Sequence, residues 1–126
     1  MIRPSGAATM VEALRWHAQT SPERVAFRFL PVASASIDLS FGELDRSAAR
    51  LALSLKAHVQ HGDRVLMCYP PGLEFVTAFF AVLYAGAIAV PLVPPSGVLR
   101  MIAMSALPYS GRVRAAAQYV AMGHCT

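Results

Sequence analysis

An α/β fold is predicted for this chain by three stretches of its sequence: a β-hairpin pattern ending at Leu39, a capped amphipathic helix from Ser40, and a strand, helix and strand in succession over residues 64–90. Ahead of these, Met10, Val11, Leu14 and His17 or Ala18 recur at helical spacing, with Thr9 able to cap the start and Ser21-Pro22 closing the segment. That spacing predicts a short surface helix. Val25-Ala26-Phe27-Arg28-Phe29-Leu30 alternates in its middle and is rich in β-formers, and Pro31 with the small residues after it makes a turn before Ser36-Ile37-Asp38-Leu39. The two runs predict the hairpin.

Ser40-Phe41-Gly42-Glu43 fits a capping box, in which the serine oxygen accepts from the amide three residues on and the glutamate reaches back to the serine amide. Leu44, Ala48, Leu51, Ala52 and Leu55 then line one helical face, with Asp45, Arg46, Arg50 and Lys56 off it, so a half-buried helix is expected through about Ala57. His61-Gly62-Asp63 is a turn. Arg64-Val65-Leu66-Met67-Cys68-Tyr69, ended by Pro70-Pro71-Gly72, has the unbroken apolar character of a strand inside a parallel sheet. From Leu73 the pattern is helical to Gly86, which sits where a left-handed capping residue belongs, and Ala87-Ile88-Ala89-Val90 resumes as a strand before Pro91. Strand, helix and strand in that order make a βαβ crossover. Phe75, Val76, Phe79, Phe80, Val82, Leu83 and Tyr84 cover most of the circumference of its helix, so that helix is expected to be buried on nearly all sides in a larger protein, or to lie in a membrane, and to leave a sticky surface in this shorter chain.

The chain has 126 residues, enough for one domain. Hydrophobic residues make up 56% and charged residues 14%, against about 45–50% and about 25% in ordinary soluble domains. This excludes intrinsic disorder and predicts exposed apolar surface that self-associates. The formal charge of +4 divides unevenly: residues 1–95 carry eight Arg/Lys against seven Asp/Glu, while residues 96–126 carry Arg100, Arg112 and Arg114 and no acid. Three arginines without interleaved aromatics are a poor electrostatic footprint, so no nucleic-acid partner is expected. Cys68 and Cys125 lie far apart with no secretory signal ahead of them, which predicts reduced thiols and a cytoplasmic location.

Two motifs carry a family resemblance. Leu39-Ser40-Phe41-Gly42-Glu43-Leu44 and Leu83-Tyr84-Ala85-Gly86-Ala87-Ile88-Ala89-Val90-Pro91, in that order around a βαβ unit, resemble the opening motifs of the adenylate-forming superfamily. Within it, Leu14-Arg15-Trp16, Tyr69-Pro70-Pro71-Gly72-Leu73-Glu74-Phe75 and Ala78-Phe79-Phe80 are similar to the fatty-acyl-AMP ligases. The resemblance covers residues 9–95 and implies the partial N-terminal subdomain of an AMP-binding (adenylation) domain. It further implies a parent enzyme that joins a fatty acid to ATP, with magnesium, as an acyl-adenylate, and that hands the acyl group to an acyl carrier protein.

The family's lysine-bearing phosphate loop, its ribose-binding aspartate and its C-terminal catalytic lysine have no counterpart here: Lys56 is the one lysine, on a solvated helix face, and there is no G-x-G-x-x-G and no Gly-Lys-Ser/Thr. No catalytic, cofactor-binding or metal-binding residue is therefore assigned, and the chain alone is expected to be inactive. Residues 96–126 depart from the family, which predicts a divergent tail, read in a shifted frame or truncated, with a helix near Arg112–Ala121.

Three further signals are weaker. His58, His61 and Cys68 match no structural zinc spacing, and a solvated turn accounts for the histidines. The Pro70-Pro71-Gly72 turn precedes a helix N-terminus, where anions bind, yet Glu74 already supplies negative charge to that helix end. A single-pass membrane protein is the rival reading, because Phe75 to Val93 is 19 residues without a charge; Gly86 and Pro91 argue against it. A non-catalytic interaction module is the third, with no motif of its own.

Overall fold

The computed structural model describes residues 6–92. The tail from Ser96, with Cys125 and the helix expected near Arg112–Ala121, lies outside the described residues. Seven elements follow one another: α1 (Met10–Thr20), β1 (Val25–Phe29), β2 (Ile37–Ser40), α2 (Phe41–Lys56), β3 (Arg64–Met67), α3 (Leu73–Tyr84) and β4 (Ile88–Pro91). The α/β prediction holds, element by element.

Capping starts the first two helices. Thr9 accepts from the Glu12 amide at 3.1 Å, and the Glu12 carboxylate takes the Thr9 amide at 3.1 Å, a capping box that the sequence also spells as Thr-x-x-Glu. Ser40 and Glu43 do the same for α2, at 3.2 and 3.0 Å. The other free amides of that first turn are taken from outside the helix: Phe41 N–H donates to the Arg24 carbonyl at 3.0 Å and Gly42 N–H to the Pro22 carbonyl at 2.9 Å. The loop after α1 is thereby fastened to the start of α2.

β1 and β2 pair antiparallel, Phe27 opposite Leu39 and Phe29 opposite Ile37, with an irregularity between Val25 and Phe27. On the opposite face Arg28 grips Asp38 with two nitrogens, at 2.6 and 2.9 Å. β3 and β4 pair parallel from Arg64 opposite Ile88 to Met67 opposite Pro91, with α3 as the crossover. β3 ends at Met67 rather than Tyr69, and β4 begins at Ile88 rather than Ala87, because the cap of α3 claims Ala87. Gly86 N–H donates to the Leu83 carbonyl at 3.0 Å and Ala87 N–H to the Val82 carbonyl at 3.1 Å. These are the two bonds of a Schellman closure, with Gly86 at φ 75° where a left-handed residue is required.

The core joins Leu44, Ala48, Ala52 and Leu55 of α2 to Ala78, Ala81 and Val82 of α3 and to Val65 and Met67 of β3. Small residues face one another across α2 and α3, so the two backbones approach closely enough to exclude water without large side chains between them. The expected face of α2 is the buried one, with Leu51 half-buried. Within α3 Glu74 alone is exposed, so the surface expected to be left open on this helix is instead covered, because α2 and the β3–β4 pair pack against it. The prominent exposed apolar side chains lie elsewhere: Phe27, Leu30, Val32 and Ile37 on the hairpin and its turn, Leu53 on α2 and Ile88 on β4. The charge-free run from Phe75 is divided among α3, the Gly86 turn and β4, and no helix among the described residues is long and apolar enough to cross a membrane.

Candidate functional site

In parallel sheets the carboxyl ends of the strands open toward ligands, because the strand-to-helix turns gather there with the helix N-termini. In this chain that edge is formed by Cys68 to Gly72 after β3 and by Leu92 after β4, whose amide donates to the Met67 carbonyl at 2.9 Å. Cys68 is buried, Tyr69 half-buried, and Pro70 and Pro71 exposed. α3 starts here with Gly72 at its N-cap and no side-chain cap; Val76 N–H donates to the Gly72 carbonyl at 3.4 Å. Glu74 stands exposed in the first turn, at the positive end of the helix dipole. Residues 68–76 contain no cation, so this edge has no side chain to pair with a phosphate or carboxylate. It works as a rigid entry to α3.

The fold keeps apart the other candidates that the sequence raises. His58 and His61 are exposed beyond the end of α2, before β3 begins, whereas Cys68 is buried past the other end of that strand. Among the described residues no three His, Cys, Asp or Glu side chains gather as a metal site would require. Lys56 is exposed at the last position of α2. The His61 turn serves the architecture instead. Gly62 N–H donates to the Gly86 carbonyl at 2.9 Å and Ile88 N–H to the Asp63 carbonyl at 2.8 Å. Asp63 is buried and its carboxylate accepts from the Gln60 amide at 2.9 Å. The turn before β3 is therefore stitched to the turn before β4, which sets the register of the parallel pair.

A polar junction of three helices goes beyond the sequence-based expectations. Tyr84 of α3 donates its hydroxyl to Asp45 of α2 at 2.5 Å, and the Arg15 guanidinium of α1 lies 4.8 Å from the centre of the Tyr84 ring. Burial, and then the adjacent Asp45 carboxylate, push the Tyr84 phenol well above its usual range, so it remains a donor at neutral pH. The signal lay in Tyr84 itself: a tyrosine in a helix otherwise enclosed in apolar surroundings needs a partner for its hydroxyl. Beside this junction His17 stacks on Phe41 with centroids 4.6 Å apart, and Trp16 meets His17 edge-on at 4.8 Å. An apolar groove of about 270 Å³ runs between α1 and β1, bordered by Met10, Ala13, Leu14, Phe27, Phe41 and Phe80 among others.

Among the described residues the architecture is a capped helix leading into a βαβ unit, with no cation at the carboxyl-end edge of its strands. The chain belongs to the AMP-binding enzyme family, whose sequence profile matches residues 14–106, past the Pro95 at which the motif resemblance ends. Over 89 residues it is 37% identical to the medium-chain-fatty-acid acyl-carrier-protein ligase JamA of Moorena producens, a match covering 70% of this chain and 15% of JamA. It is 39% identical over 89 residues to the human Disco-interacting protein 2 homolog B, covering 68% of this chain and 6% of that protein. The fatty acid AMP ligase of Legionella pneumophila superposes with a TM-score of 0.73 at 32% identity, over 80% of this chain and 18% of that one. The chain thus spans less than a fifth of the length of these relatives.

Proposed function

We propose that residues 9–95 are the N-terminal framework of an adenylation domain that joins a fatty acid to ATP, with magnesium, forming an acyl-adenylate and pyrophosphate in the cytoplasm. An acyl carrier protein then receives the acyl group. The observation that carries this reading is the superposition of the βαβ unit and its flanking elements on a fatty acid AMP ligase at 32% identity, supported by the 37% identity to an acyl-carrier-protein ligase. The part played by this chain is mechanical. α2 and α3 cover the β3–β4 pair, and Tyr69-Pro70-Pro71-Gly72 turns the chain into α3 without offering a carboxylate, imidazole or cation. On this reading the chain alone makes no acyl-adenylate, because its one lysine, Lys56, stands at the last position of α2 and not in a phosphate-binding loop.

A chimera tests this. Residues 9–92 replace the matching segment of the Legionella ligase, and fatty-acid-dependent ATP–pyrophosphate exchange is measured for the chimera, the parent ligase and this chain alone. Exchange by the chimera within about tenfold of the parent, with none above background from the chain alone, supports the framework role. A folded chimera that makes no acyl-adenylate, or exchange by the chain alone, overturns it.

A further inference from the structure

α1 is seated differently from the rest of the molecule. α2 and α3 each bury five residues, whereas α1, eleven residues long, buries Leu14 alone. Beyond Leu14, Val11 packs half-buried against the core, and the remaining ring contacts are the Arg15 guanidinium over the Tyr84 ring at 4.8 Å and the His17 ring on Phe41 at 4.6 Å. The groove of about 270 Å³ between α1 and β1 leaves Met10, Ala13 and Leu14 facing space that Phe27 and Phe41 do not fill, so dispersion contacts that a close-packed helix would make are missing. The end of α1 is sharply defined. Ser21 closes the helix, and the very next residues are fastened to α2 through the Pro22 and Arg24 carbonyls at 2.9 and 3.0 Å.

From these three observations we propose that α1 is a strap, hinged at Ser21, that lifts as a unit while α2, α3 and the β3–β4 pair remain folded. Lifting breaks the Arg15–Tyr84 and His17–Phe41 contacts and withdraws Leu14 from Leu44 and Phe80, so the groove opens into a wider apolar channel. The Tyr84–Asp45 bond stays behind, because both residues belong to the part that does not move. The backbone amides of residues 14–20 therefore open at a lower free energy than those of residues 45–55, which are held by the core.

Hydrogen exchange of the 126-residue chain, followed by mass spectrometry, reads this directly. Residues 14–20 are expected to exchange at least about tenfold faster than residues 45–55. Arg15→Met keeps the aliphatic stem and removes the cation, and is expected to speed exchange of residues 14–20 by roughly two- to fivefold. Ala13→Leu adds apolar volume toward the groove and is expected to slow the same amides by roughly threefold. Residues 45–55 should move in neither variant. A common exchange rate for the two segments, variants that shift both segments together, or variants that shift neither would each overturn the strap.

Discussion

Alanine in place of Gly86 would set its Cβ 2.7 Å from His61 Nδ1, in a backbone at φ 75°. The His61 ring is exposed and can swing away, but the left-handed backbone cannot relax without breaking the Schellman closure that aims the chain into β4. Gly86→Ala should therefore cost about 1–2 kcal/mol, read from the urea midpoint, and most of that cost should persist in a His61→Ala background. If His61→Ala restored full stability, the clash rather than the backbone would be responsible. Tyr84→Phe isolates a different contribution. It leaves the ring beneath Arg15 and removes the donor to Asp45, with an expected loss of about 1–3 kcal/mol for a hydrogen bond to a charged group. Unchanged unfolding of Tyr84→Phe would mean that water replaces the hydroxyl at no cost.

The start of α2 gathers more of the sequence's local logic than any other point in the chain. Its first three amides are satisfied by Ser40 and by two loop carbonyls, and Ser40→Ala should cost about 1 kcal/mol. Glu43 gives this cap a pH dependence. The Ser40 amide and hydroxyl bonds hold the Glu43 carboxyl below its usual value, so its folded value lies under the unfolded one. The stabilisation it contributes is complete above the ordinary carboxylate range and is lost as pH falls through the folded value. Glu43→Gln should lower the neutral plateau of Tm, converge with the parent in acid and so flatten the decline below about pH 4.5; parallel Tm curves for parent and variant would contradict this. The Asp38 carboxyl, held low by the Arg28 hydrogen bonds, adds to the decline with the same sign.

Two strands are a small parallel sheet. Parallel strands are stable chiefly when both faces and both neighbours are provided, and here β3 and β4 have one partner each among the described residues, with Ile88 exposed. Together with Phe27, Leu30, Val32 and Ile37 on the hairpin side and Leu53 on α2, this leaves exposed apolar surface among the described residues. The isolated chain is expected to bind a hydrophobic fluorescent dye and to self-associate as its concentration rises. A monodisperse monomer with no dye signal would contradict that. Hydropathy points to the helix after Gly72 as the place for such surface, but α2 and β3 cover that helix. The apolar character of a helix reports how much burial it needs, not how much of that need neighbouring elements in the same chain already meet.

Local signals were enough to determine the elements and their order. Ser40 with Glu43, Gly86 before a resumed apolar run, and the prolines after Tyr69 act within a few residues of where they stand, so helix starts, the crossover and the turn positions could be read one residue after another. The family resemblance rested on the same capping and packing residues, and for that reason it pointed to the family without assigning a catalytic residue. Tertiary structure alone decided which side chains meet. Arg15, Asp45 and Tyr84 lie on three separate helices, and Asp45 reads from its own helix as a solvated residue until α3 brings a buried hydroxyl to it. The His61 turn likewise reads as a simple surface connection until its backbone meets the Gly86 turn. Contacts between elements depend on how the faces dock, and docking is set by the shape of the whole core rather than by any one segment.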